Sequence, residues 1–321
     1  MDLIYMNASK EDVGVLLSYE LDLAFGKDEN NFECCIQSND HCCEAGYYLY
    51  MEETEYGGIV DSIESDTEND EVTYYGRTWQ GILNSKVIQP DNGAAYLTVS
   101  GEANAVIATV LSRLSLTALF EASSEKSGLN VSSYKMNRYV AGYDGIVKML
   151  NSVGGKLQFK FQDGKVVLSA VPKHDFTQDE EFDSDHIAFR VKKKHKTVNH
   201  LICLGSGELQ NRMVIHLYAD TSGNISATQT QFGMDEYTSV FDYSSVESEE
   251  ELLSSGKDRL KELWGQDELT INLDDTSDTY GVGDIIGAYD NITEISVAAE
   301  ITKKIVTIKN GQITIHYEVG E

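Results

Sequence analysis

The densest group of possible ligands in this chain is CCIQSNDHCC, where Cys34, Cys35, Cys42 and Cys43 lie around His41 within ten residues. Four thiols and an imidazole have the chemistry to hold a tetrahedral zinc ion. The spacing argues for another role. Adjacent residues of a strand point to opposite faces, so Cys34 and Cys35 do not readily share one ion, and the two-residue gap usual between paired ligands is missing. These thiols are expected to be small hydrophobes, buried or half-exposed. No metal or other cofactor is expected, and reduced thiols are expected at all five cysteines, Cys203 being the fifth, since they are too few and too clustered for a disulfide framework.

Other reactive patterns are equally weak. The aspartates of NLDDTSDTYGVGD, residues 272–284, lack the D-x-[DN]-x-[DN]-G spacing that wraps a loop around calcium, so a solvated loop is expected. Glycan hydrolysis needs two carboxylates about 5–10 Å apart. With 53 acidic residues the chain neither excludes nor supports such a pair. There is no G-x-S-x-G, and Leu204-Gly205-Ser206-Gly207-Glu208 reads as a turn. His200 and Cys203 stand three apart on a strand-like run, which favours structural roles over a thiol nucleophile. No P-loop, G-x-G-x-x-G or H-E-x-x-H occurs. The basic cluster Arg190, Lys192, Lys193, Lys194 and Lys196 alternates between two strand faces; it reads as a solvated edge, with a contact to an acidic neighbouring subunit as the alternative.

The elements that would position these residues are mostly strands. Residues 1–90 hold DLIYM, VGVLLSYELDLAF, FECCIQ, YYLYME, GGIVDSIES and EVTYYGR, separated by acidic turns. Nine acidic residues and no basic one fall between Met51 and Glu71, with DTEND at an expected hairpin tip. After Ser100 the period changes. Val106, Ile107, Val110, Leu111 and Leu114 predict an amphipathic helix, and Ile146, Val147 and Leu150 a second one before Gly154-Gly155. KLQFKFQDGKVVLSAVP alternates around Asp163-Gly164 as a hairpin does. QDEEFDSD, residues 178–185, reads as a linker. Beyond it come further strands, a helix over 248–264 with a Ser248/Glu251 capping box and a stop at Gly265, and a run of strands with Asn310-Gly311 at a turn.

The expected fold is therefore α+β and β-rich, with a first β-barrel domain over 1–90, an α+β domain over 91–177, the linker 178–185, and a second β-barrel domain over 186–321 that contains the helix. Residues 46–76 and 281–320 share a loose plan of glycine, strand, turn, strand and glycine, which permits two related small barrels.

The formal charge of -28, from 53 Asp and Glu against 25 Lys and Arg, opposes any extended phosphate-binding surface, so sequence-specific nucleic-acid binding is not expected. An acidic wall would still suit a conduit that passes a polyanion without trapping it. No apolar run reaches the 18 or more residues of a membrane span, and MDLIYMNASKEDVG has no basic leader, so synthesis in the cytoplasm without membrane insertion is expected.

The closing stretch YGVGDIIGAYDNITEISVAAEITKKIVTIKNGQITIHYEVG resembles the C-terminal end of a family of siphovirus tail proteins of phages and prophages of Gram-positive bacteria. VNHLICLGSGELQNRMVIHLYADTSGNI, SEEELLSSGKDRLKEL, EYGGIVDSIESDTENDEVTYYGRTWQGILNSKVI and ENNFE resemble the same family in the same order. The resemblance implies a virion structural protein, a hub of the tail tip or baseplate that forms homotrimers from two tube-like barrels per protomer. It implies as neighbours the distal tail ring, the tape measure, and tip or receptor-binding proteins, with assembly in the host cytoplasm. No catalytic residues carry over, and the chain ends directly after its last strand, so no appended hydrolase is expected. The chain is read as a non-enzyme; the alternative is a tail-associated peptidoglycan hydrolase using a carboxylate pair.

Overall fold

The computed structural model describes residues 2–178, 181–183, 189–192, 197–246, 248–264, 268–271, 278–292, 294–309 and 311–320. The chain opens with seven strands: β1 (Leu3–Met6), β2 (Asp12–Leu16), β3 (Glu20–Gly26), β4 (Asn31–Gln37), β5 (Tyr48–Tyr50), β6 (Gly57–Asp66) and β7 (Glu71–Thr78). Each stretch read as a strand contains one, and VGVLLSYELDLAF contains two. The alternation is legible in β4, where Phe32, Cys34 and Ile36 are buried while Asn31, Glu33 and Gln37 are exposed. β6 and β7 form a hairpin with the acidic segment at its tip; Asp70 has φ 57°, and residues 61–70 are all exposed. Helix α1 (Trp79–Asn84) follows at once, started by Thr78, whose hydroxyl accepts the Gly81 N–H at 3.3 Å.

The middle of the chain supplies β8 (Val87–Ile88), β9 (Leu97–Glu102), α2 (Ala103–Arg113), β10 (Phe120–Ala122), β11 (Asn130–Met136), β12 (Val140–Ala141), α3 (Gly142–Asn151), β13 (Gly155–Gln162) and β14 (Lys165–Pro172). α2 buries Val106, Ile107, Val110 and Leu111, and α3 buries Ile146, Met149 and Leu150. The β13–β14 turn has both central residues at positive φ, Asp163 at 52° and Gly164 at 74°, which matches the right-handed twist of the flanking strands. Its buried Phe161 stacks on Trp79 at 5.5 Å and meets Tyr50 at 4.0 Å between ring centroids. One apolar core thus unites Met6, Tyr50 and Trp79 with Ile107, Ile146 and Phe159. The expected α+β domain therefore shares its core with the N-terminal strands instead of standing apart.

Next come β15 (Glu181–Asp183), β16 (Phe189–Lys192), β17 (His200–Leu204), β18 (Val214–Ala219), β19 (Ile225–Ser226), β20 (Thr238–Asp242), α4 (Glu249–Leu263) and β21 (Glu268–Ile271). Four of them form a sheet in the order β19-β18-β17-β20, with β17 and β20 parallel. α4 begins as its capping box requires, Ser248 accepting the Glu251 N–H at 3.4 Å. Its Leu252 and Leu260 pack on Leu201, Cys203 and Leu217 in a separate core. The expected stop at Gly265 and parts of the expected linker lie outside the described residues.

The chain closes with β22 (Ile285–Asp290), β23 (Ile295–Lys309) and β24 (Gln312–Gly320). β23 pairs with β24 and also, antiparallel, with β3, from Lys303↔Gly26 to Lys309↔Glu20. That second ladder corrects the expected two barrels. The strands run β15-β22-β23-β3-β4-β7-β6-β5-β1-β2 in one sheet, with β24 on β23. The two hairpins assigned to separate barrels are thus in one sheet, on either side of β3 and β4. Among the described residues no ladder joins the ends of this path, and no closed barrel forms. The cause is local: Leu21, Leu23 and Phe25 of β3 are buried, as are Val306 and Ile308 of β23 opposite them. A side chain at Gly26 would collide with the Thr302 carbonyl, so glycine permits the close approach. Two compact units result: Met1–Ala188 with Ile271–Tyr289 and Ala298–Gly320, and Phe189–Thr270 with Asp290–Val297. The expected limits at 90 and 177 fall inside the first unit, and the one at 186 lies three residues before the second begins.

Candidate functional site

The cysteine group is organised by a tyrosine. The Tyr74 hydroxyl oxygen accepts the N–H of Cys42 at 3.0 Å and of Cys43 at 3.2 Å, and lies 2.9 Å from His41 Nδ1. Cys34 and Cys43 are fully buried, whereas Cys35 and Cys42 are half-buried. Burial pushes the Cys34 thiol up to about 12, and the Tyr74 hydroxyl, for the same reason, also to about 12. Cys34 and Cys35 face opposite sides of β4, as the alternation requires. Among the described residues no three or more His, Cys, Asp or Glu side chains converge as metal ligands.

The remaining sequence candidates are dispersed. Cys203 points into the core beneath α4, where burial raises its thiol, while His200 lies on the other face of β17. Leu204-Gly205-Ser206-Gly207-Glu208 leaves β17 as a turn, with Gly207 at φ 101°. Arg190 and Lys192 belong to β16, whereas Lys193, Lys194 and Lys196 lie outside the described residues, as do residues 272–277 of the aspartate-rich stretch.

Composition and spacing did not single out the charged group that the first unit buries most deeply among the described residues. Lys304 of β23 is 1% exposed, and its ammonium pairs with Glu55 at 2.7 Å and with Asp278. Tyr56 donates its hydroxyl to Asp278 at 2.6 Å, and the Lys304 ammonium lies 5.3 Å from the Tyr56 ring centre and 5.8 Å from that of Phe25. Burial by itself would lower the Lys304 pKa; Glu55, Tyr56 and Asp278 outweigh it and hold the ammonium well above its usual range. A second buried pair, Lys156–Asp284, lies nearby, and Asp284 also accepts the N–H groups of Gly281 at 2.9 Å and His174 at 3.0 Å. Lys304, Glu55, Asp278 and Lys156 line one cleft of about 420 Å³ with Phe25, Gln80 and Tyr143. The signal was available: counting back by twos from the buried Ile308 and Val306 places Lys304 inward. These pairs clamp the start, middle and end of the chain together.

Among the described residues the sheet of the first unit leaves three strands with a ladder on one side only, β15 on β22, β2 on β1 and β24 on β23. β2 and the residue after it expose Val13, Val15 and Leu17, the last at 92%. An edge of this kind, apolar and unpaired, is a template for pairing with another chain. No helix among the described residues is long and apolar enough to cross a membrane.

No family model matches the chain, and no curated protein matches it. Solved structures do. A tail protein from Neisseria meningitidis MC58 is 13% identical at a TM-score of 0.55, covering 100% of this chain and 96% of that one. The 43 kDa tail protein of prophage MuSo2 from Shewanella oneidensis is 10% identical at a TM-score of 0.58, covering 99% and 98%. Prophage tail protein gp18 from Listeria monocytogenes EGD-e is 11% identical at a TM-score of 0.54, covering 99% and 94%. The chain shares their fold over nearly its whole length.

Proposed function

We propose that this chain is a structural component of a phage or prophage tail, a hub at the distal end that joins tube to tip and forms part of the DNA conduit, with no catalysis of its own. The observation that carries the reading is a common fold with three tail proteins, spanning almost all of this chain and of each of them. The sequence resemblance to siphovirus tail proteins points the same way. Its finer content is adopted here as part of the proposal: a homotrimer, with the distal tail ring, the tape measure and tip proteins as neighbours. The open strands β2 and β24 support it, because they give adjoining copies or neighbouring tail proteins places to extend the sheet. The net charge of -28 suits a wall that lets a polyanion slide past.

Native mass spectrometry of the purified chain, alone and mixed with the proteins encoded beside it, tests the assembly. Trimers, alone or in the mixture, are the expected result. A strictly monomeric chain at high concentration under both conditions contradicts the hub.

A further inference from the structure

The β19-β18-β17-β20 sheet has α4 on one face; on the other, polar side chains from three successive segments meet. Leu201 and Cys203 of β17 face the α4 core, so alternation turns His200 to the opposite side. On β18, Tyr218 is the direct partner of His200 and His216 that of Ile202, which sets the two histidines diagonally across one ladder. Their rings meet with His200 Nε2 2.9 Å from His216 Nδ1. Glu236, just before β20, places Oε1 2.6 Å from His200 Nδ1, and Thr238 Oγ1 lies 3.1 Å from the same nitrogen. The His200 ring is nearly buried and stacks on Tyr218 at 4.4 Å, whereas His216 is exposed.

We propose that His200 and His216 form a chelating pair for one divalent transition-metal ion, with Glu236 as the residue that orients His200. A carboxylate on Nδ1 keeps the proton there and leaves the Nε2 lone pair free to bind a metal, an arrangement found behind metal-ligating histidines generally. The Nδ1 of a second imidazole lies close to that lone pair. Two nitrogens bound about 2.0–2.1 Å from an ion at a right angle stand about 2.9 Å apart, which is the spacing of this pair, whereas tetrahedral binding asks for about 3.3 Å. The pair therefore suits neighbouring corners of a square-planar or octahedral ion, and imidazole nitrogens favour nickel and copper there. Without metal, one N–H bridges the two nitrogens. On binding, the ion replaces that bridge, His216 carries its proton on Nε2, both rings remain neutral, and nothing is oxidised or reduced. Water fills the positions that the protein leaves open. The ion would fasten β17 to β18, and through Glu236 would hold the turn that leads into β20. That turn closes the parallel β17–β20 pair, whose long connection gives it little local support.

The test uses the full chain without an affinity tag, titrated with nickel chloride at neutral pH and followed by calorimetry and native mass spectrometry. Nickel is chosen because the thiols compete less for it than for softer ions. The parent and His41→Ala should each take up one nickel per chain. His216→Ala, which removes an exposed ring, should keep its circular dichroism and melting temperature and lose uptake at least tenfold. Glu236→Gln should weaken uptake by roughly tenfold while leaving His200 and His216 in place. Absence of uptake by the parent means that the three side chains form only a hydrogen-bonded chain and overturns the proposal. So does uptake that His216→Ala leaves unchanged.

Discussion

Replacing Lys304 by Met removes the charge at the centre of the first unit while keeping most of the side-chain volume. Lys304 is 1% exposed; the side chains of its partners, Glu55 and Asp278, are 22% and 38% exposed. Removing one member of a buried ion pair costs about 3–5 kcal/mol, because the charge left behind has lost both water and partner. Here the two carboxylates can regain some water, which favours the lower end. Loss of the cation's contacts with Tyr56 and Phe25 adds about 0.5–1 kcal/mol. The expected loss is about 3–4 kcal/mol, or a fall in melting temperature of roughly 6–16 °C for a unit of this size. Lys304 has a raised pKa in the folded protein, so its stabilising contribution is complete below the pKa of an unfolded lysine and fades only as pH rises through the elevated value. The deficit of the variant should therefore persist from about pH 6 to 9 and shrink only in strong alkali. Lys309→Ala serves as the control: Lys309 and Glu20 are more than half exposed, so its cost should be under about 0.5 kcal/mol. Scanning calorimetry of parent and both variants reads the outcome. The triple variant K304M/E55Q/D278N should regain much of the loss, since it leaves no stranded charge. A Lys304→Met variant as stable as the parent refutes the clamp.

Further outcomes follow from other parts of the molecule. In the folded protein an aromatic disulfide reagent should modify Cys35 and Cys42 quickly and spare Cys34, Cys43 and Cys203; in denaturant it should modify all five. Equal reactivity of Cys34 and Cys35 would contradict the register of β4. The raised Cys34 thiol and Tyr74 hydroxyl give stability that is present below the pKa of the unfolded groups and lost as pH rises toward about 12, so alkaline titration of ellipticity should show unfolding that sharpens above about pH 9. Gly256→Ala ordinarily strengthens a helix by about 1 kcal/mol. Here the new methyl lies 2.5 Å from Cys203 Sγ and also crowds Leu217, so overpacking should win by about 1–3 kcal/mol in the second unit. A stabilised Gly256→Ala variant would overturn that packing. Purified chain embedded in a gel with cell wall should produce no clearing; a clear zone would favour the hydrolase alternative.

Local structure was legible in the sequence because it rests on nearest neighbours. Asp163-Gly164 specifies its turn through positive φ, Ser248 and Glu251 specify the start of α4, and Phe32, Cys34 and Ile36 show the buried face of β4 by alternation. Pairing across the chain was not legible. The pattern of β23 says which side chains face inward but not whether the strand adjoins β3 or closes a second barrel, since either partner satisfies the same alternation. The deciding contacts, Gly26 against Thr302 and Leu23 opposite Val306, are hundreds of residues apart. The same limit hid Lys304, whose partners lie at positions 55 and 278, and the His200–His216 pair, which exists only once β17 and β18 are in register.

The central claim is a place in the tail, and electron microscopy of virions with a gold-labelled antibody against this chain tests it most directly. Particles released from cells that carry its gene should bear label at the end of the tail opposite the capsid. Intact tailed particles without label there, with the chain found only free in the lysate, would contradict the account.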